Sequence, residues 1–259
     1  MNPWDLRALS RAFGAAVLGL VVVWIVTAAS DEGQLTAGAR ASRSLPLAPL
    51  CSAVGAALAL GTARLREESR AFEALGRSPA ETSRAAAMGA ALPSLVVAIT
   101  IAAVPAVDIS GFYPRAAHAD AFVLTPQGFE STSLGVRVED DGATTPLELP
   151  PPAPDEGLPR GARFAAAGST ALAGLALALV SARAALRRSL LDARLRRRMR
   201  ATAFAEAIAC ALFTLILFQA AAVRLVPAAA AVIPPLLLLA LALARLRWDF
   251  GGIEDRRLT

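Results

Sequence analysis

The chain has 259 residues, 56% of them hydrophobic, a mean hydropathy of +0.53 and a formal net charge of +5. That is too apolar for a soluble domain, and several runs exceed the length needed to cross hydrocarbon. All 26 basic residues are arginine. The absence of lysine excludes a standard P-loop ATPase and Schiff-base chemistry, and arginines gathered at the ends of apolar runs, with few aromatics, point away from nucleic acid.

Met1 to Ala12 carries Trp4, Leu6, Arg7, Leu9 and Arg11 and reads as an interfacial helix on the membrane surface. Phe13 to Ala29 is the first span. The TAAS that follows it raises a cleavable signal peptide as a rival, but the apolar run is long for a signal core and five more spans come after it. A short loop, Ser30 to Ser44, carries Asp31, Glu32, Arg40 and Arg43. Leu45 to Ala63 is the second span, with Pro46 and Pro49 near its start, where proline costs no hydrogen bond.

Arg64 to Arg84, RLREESRAFEALGRSPAETSR, is a charged run between two spans. Glu67, Glu68, Arg70 and Glu73 are spaced for pairing on a helix. Gly76 supplies a C-terminal stop, and Ser78-Pro79 with Glu81 restarts a second helix with proline at its first position. The expectation is an elbow made of a short helix, a break and another helix. A solvated loop with incidental helicity is the plainer alternative.

Ala85 to Val107 is the third span, with Pro93 as a candidate kink. Asp108 to Arg163 is the one sizeable polar stretch. Turn signals at Pro126-Gln127-Gly128 and Asp140-Asp141-Gly142, and valines alternating with charges at 136–139, predict a meander of three or four short strands. A stiff proline-rich linker follows. So small a sheet buries no core of its own.

Phe164 to Ala182 is the fourth span. Arg183 to Arg200 is densely basic, which beside a span marks the cytoplasmic side and anionic lipid. Ala201 to Val223 is the fifth span; Glu206, about one turn inside it, is expected to snorkel or to pair with Arg200. A tight turn at Arg224–Pro227 leads to the sixth span, Leu225 to Ala244, with Pro234-Pro235 inside, and Arg245 to Thr259 is a polar tail. Cys51 and Cys210 lie in apolar runs and read as buried thiols; His118 stands without a Cys or His partner and reads as a surface residue.

The fold class is therefore membrane all-α: six transmembrane helices with a small β-rich insertion between spans 3 and 4. The chain divides into 1–107 (interfacial helix, spans 1–3 and elbow), 108–163 (meander and linker) and 164–259 (spans 4–6 and tail). Placing the elbow, the basic loop and both termini in the cytoplasm puts nearly all arginine clusters inside and the β-segment outside. No span holds a His, an Asp–Asp pair or a Ser–Lys arrangement, so no catalytic constellation is visible and no metal or cofactor is expected.

The acidic pair Glu67-Glu68, then Ala71, Phe72, Ala74, Gly76, Ser78 and Pro79, resembles the coupling region of the LptF/LptG (YjgP/YjgQ) permease family, the membrane subunits of the lipopolysaccharide exporter. The order of parts and the ending Arg224 to Arg247 are also similar. The polar segment here is much shorter than the family's external domain, and Ser30, Asp31 and Glu32 stand where the family tends to be basic.

The resemblance implies a permease subunit in a bacterial inner membrane, paired with a second permease subunit as a homo- or heterodimer. A lipid-sized cavity would form between first and fifth spans of opposite partners. A separate ABC ATPase dimer would dock on Glu67, Glu68, Phe72, Gly76, Ser78 and Pro79 and supply the ATP hydrolysis, so the chain itself is not expected to be an enzyme. Arg40 and Arg43 are the candidate contacts to lipid headgroups. The alternative is a non-transporting membrane scaffold of the same fold.

Overall fold

The structure, a computed structural model, describes residues 2–30, 37–113, 123–126, 128–131, 136–139, 141–147, 158–186 and 193–254. Among them, six helical stretches are long and apolar enough to cross a membrane: Pro3–Ser30, Arg40–Leu60, Ala80–Ala103, Ala162–Leu186, Ala201–Ala222 and Ala228–Leu246. His118, Asp31, Glu32 and most of the proline-rich linker lie outside the described residues.

Helix α1 (Pro3–Ser30) is unbroken. The expected interfacial helix and first span are one element, because no breaker separates Arg11 from Phe13. A single stripe, Trp4, Ala8, Ala12 and Ala16, stays buried at four-residue spacing. Helix α2 (Ala37–Ser44) and a 3₁₀ turn (Leu45–Leu47) lead into α3 (Ala48–Leu60), with Pro46 and Pro49 in first-turn positions as their chemistry requires. The elbow follows as α4 (Ala63–Ala74). Its second helix is not separate: α5 (Pro79–Ala103) runs from the elbow straight through the third span, past Pro93.

Strands β1 (Val123–Thr125), β2 (Gly128–Ser131), β3 (Val136–Val138) and β4 (Thr144–Pro146) form an antiparallel meander in the order β1-β2-β3-β4. Its register places Glu130 directly opposite Arg137, and their side chains form an ion pair at 2.5 Å. The chain returns through α6 (Ala162–Leu186), α7 (Ala193–Ala222) and α8 (Ile233–Glu254). Between α7 and α8, Arg224 takes the left-handed conformation (φ 61°). Its amide donates to Ala221 and that of Leu225 to Ala220, which closes the helix end. A 3₁₀ stretch, Ala228–Val232, precedes α8, so Pro234 and Pro235 lie inside the sixth span as expected and fall in the first turn of α8.

The core is built largely of alanine and other small residues, and this lets helix backbones approach closely. A Cβ on Gly89 of α5 would stand 2.2 Å from the Leu9 carbonyl oxygen of α1, and one on Gly174 of α6 would stand 2.4 Å from the Ser94 Cβ of α5. Beside Gly174 the hydroxyls of Ser52 and Ser94, both fully buried, bond at 2.7 Å. Helix α6 is the centre, packing against α3, α5, α7 and α8, with α1 laid on α3 and α5. The bundle thus has an elbow end and a sheet end.

At the sheet end Arg163, in the first turn of α6, donates to the carbonyls of Ile101, Val104, Pro105 and Val107 at 2.9–3.0 Å. They belong to the end of α5 and the turn after it, where the helix supplies few donors; Val104 also accepts from the Val107 amide at 3.1 Å. The Tyr113 hydroxyl donates to the Ala162 carbonyl at 2.8 Å, and its ring meets Phe218 edge-on at 5.0 Å.

Candidate functional site

The elbow is built by local chemistry. In α4, Leu65, Ser69 and Phe72 (i, i+4, i+7) turn inward; Leu65 and Ser69 are buried. Arg64, Glu67, Arg70, Ala71 and Ala74 face outward, and Leu75 at the helix end is 82% exposed. Gly76 then adopts φ +89°. Its amide donates to Glu73 and that of Arg77 to Phe72, both at 3.0 Å, which satisfies the last carbonyls of α4.

Two residues later a new helix begins. The Ser78 hydroxyl accepts from the Glu81 amide at 3.2 Å, and the Glu81 carboxylate accepts from the Ser78 amide at 2.9 Å, with Pro79 at the first helical position. Gly-x-Ser-Pro is therefore a stop and a restart with one residue between them.

That residue is Arg77. Its Nη2 donates to Asp5 Oδ1 of α1 at 2.5 Å. Its guanidinium carbon lies 5.6 Å from the ring centroids of both Trp4 and Phe72. Trp4 and Phe72 meet edge-on at 5.5 Å, and Trp4 is 3% exposed. One arginine in the break thus ties the first turn of α1 to both helices of the elbow.

The structure distributes the sequence-predicted residues unevenly. Glu67 is exposed on the outer face of α4. Glu68 is half-buried and accepts from Arg64 Nε at 3.1 Å on its own helix. Phe72 is half-buried against Trp4, on the opposite side from Glu67. Gly76 and Ser78 shape the break. Arg40 and Arg43 lie on α2 at the far end of the bundle, Arg40 half-buried and Arg43 exposed.

Sequence reading missed the clamp of Trp4, Asp5 and Arg77. Trp4 reads there as interfacial but lies within the bundle's packed core. The available signal was an arginine as the only residue between a C-cap glycine and an N-cap serine. Glu73, expected to pair along the helix, instead has its carboxylate oxygens buried without a hydrogen-bond partner among the described residues. Burial pushes that carboxyl above its ordinary value, and Arg70 only partly counters the shift. Glu206 pairs with Arg245 of α8 at 2.6 Å; the side chain of Arg200, the partner expected, lies outside what the structure describes.

No protein family, curated protein or solved structure matches the chain.

Proposed function

We propose that the chain is a permease subunit of an exporter for a lipid-like amphiphile, driven by a separate ABC ATPase. The observation that carries this reading is the elbow. A helix is fixed to the bundle on one side through Leu65, Ser69 and Phe72, and on the other it offers Glu67, Ala71, Ala74 and Leu75. Its end is tied through Arg77 to α1. A soluble partner gripping the outer face would pull on a membrane span and not on a slack loop. In this reading Phe72 acts from inside the elbow, by holding Trp4.

The spans support a second copy or a related subunit as partner. Only 11% of the apolar windows of α1 and α7 is buried, against 56% for those of α5 and α6. These two helices would line a cavity shared with the partner subunit. Beside them an apolar crevice of about 230 Å³, with Pro46, Leu50, Cys210 and Phe218 in its lining, opens between α3 and α7 and has room for part of an acyl chain. The arginine distribution favours a bacterial inner membrane with the elbow and both termini in the cytoplasm and the sheet outside.

The Arg64–Glu68 pair favours a second reading, a scaffold in which Glu68 merely braces its own helix. That pair is worth about 0.2–0.5 kcal/mol, so Glu68→Ala leaves expression and insertion intact under either reading. Under the permease reading the variant sharply lowers co-purification of a P-loop ATPase and its lipid-stimulated hydrolysis. A wild-type chain that carries no ATPase through mild purification leaves the scaffold as the better description. Single cysteines at Glu67 and Asp141, in a chain lacking Cys51 and Cys210, test the sidedness. Labelling of position 67 from outside overturns it.

A further inference from the structure

At the elbow end three spans leave their apolar stretches together: α6 ends at Leu186, the apolar part of α7 begins at Ala201, and that of α8 ends at Leu246. A cleft of about 290 Å³ opens between them. Its charged lining is Arg183, Glu206 and Arg245, joined by Thr202, while Leu179 and Ala242 form the wall toward the bundle centre. The Arg245 Nη1 donates to Glu206 at 2.6 Å, and the carboxylate and both guanidinium groups together carry one positive charge. Ionisable groups inside spans are costly and rarely retained without a ligand, pathway or partner to serve.

We propose that this cleft binds an anionic phospholipid of the elbow-side leaflet. Its phosphate would lie on Arg183 and Arg245, and one chain would run along Leu179 and Ala242. Guanidinium forks match phosphate oxygens in geometry and charge. The net positive charge favours an anionic over a zwitterionic head group, and the apolar wall favours a lipid over free phosphate. Glu206 shares Arg245 and so moderates the grip on the phosphate. The site is separate from the docking face of the elbow and does not depend on what docks there.

Native mass spectrometry of the full-length chain, titrated with phosphatidylglycerol, phosphatidylcholine or inorganic phosphate, tests this. Phosphatidylglycerol is retained in preference to phosphatidylcholine. Arg183→Gln and Arg245→Gln each weaken that retention about fivefold, the share expected of one arginine at a membrane surface. Glu206→Gln strengthens it by releasing Arg245, an effect that loss of a merely structural ion pair would not produce. Photoreactive phosphatidylglycerol labels the segments around Leu179–Ala184 and Thr202–Glu206, which decides the matter even if an arginine variant fails to fold. Equal retention of the two lipids, displacement of phosphatidylglycerol by inorganic phosphate, weaker retention in Glu206→Gln, or labelling confined to other segments overturns the proposal.

Discussion

The two ends of the bundle are fastened by different means. At the sheet end Arg163 satisfies a set of helix-end carbonyls, and Tyr113 finds its acceptor on α6. At the elbow end the joints are an ion pair and ring contacts, and they leave the Trp4 indole nitrogen and the Glu73 carboxylate without partners among the described residues. Satisfied, directional bonds make a fixed joint. Contacts that tolerate small rotations, beside polar groups held at a disadvantage, make a joint that a partner can shift. The difference teaches where, on the proposed function, motion would enter this bundle: near α4, with the sheet end held fast.

The sharpest way to break the contrast is at Arg163. Arg163→Ala takes the side-chain donor from the part-buried carbonyls of Ile101 and Val107 and is expected to lower stability by about 2 kcal/mol, read as thermal unfolding in detergent. Arg163→Lys recovers only part, since an ammonium lacks the fork that spans those acceptors. A loss no greater than that of an ordinary surface substitution would mean the sheet end is not the fixed joint.

Next in size is the clamp. The Asp5 and Arg77 side chains are 14% and 22% exposed, between the surface and buried regimes, so Asp5→Asn is expected to cost about 1–2 kcal/mol. Its larger effect is on order: spin labels at Ser10 and Leu75 should give one narrow distance distribution in the wild type and a broad one in Asp5→Asn, with Asp5→Glu close to wild type. Equally narrow distributions in all three would show that the rings alone hold the elbow.

The smallest effect belongs to Glu73. Its carboxyl titrates above the ordinary 4.5, so the folded chain holds that proton more tightly than the unfolded chain. Below the ordinary value there is no penalty; as pH rises through the raised value, the folded state loses stability. Glu73→Gln should therefore gain on the wild type between those two values, and above them its advantage stays constant. An advantage that shrinks with rising pH would show Glu73 to be stabilised as a carboxylate.

The spans and the elbow break were legible in the sequence because each rests on local chemistry: apolar length, a left-handed glycine, a capping serine followed by proline. The four-strand meander was legible from its turns. The fasteners were not. Asp5 and Arg77 are far apart in sequence, Arg163 reaches back to the end of α5, and Glu206 reaches forward to Arg245. Each pairing depends on which helices become neighbours, and alanine-rich spans with little amphipathic contrast hold no record of that. Helix boundaries erred for a related reason: capping residues announce a start, but the stripe of Trp4 and alanines that continues α1 through the expected break is visible only once its neighbours are in place.

Helix α1 fully buries Trp4, Ala8, Ala12 and Ala16 against the bundle; beyond them it is only half-buried, where Gly19 lies against Cys51 of α3 and the helix meets α2. A Cβ on Gly55 of α3 would stand 2.8 Å from the Ala12 carbonyl oxygen, so the backbones bear on one another there. At 1.5 Å per residue, roughly 10 Å of helix lies between Asp5 and that bearing, and roughly 27 Å extends from it to Ser30. The helix is a lever with unequal arms. A shift of about 1 Å at the elbow, if α1 pivots as a rigid rod on Ala12, swings the far end by nearly three times as much. The sequence needs no hinge within that span, because the gain comes from where Gly55 of α3 and Gly89 of α5 let their helices rest against α1.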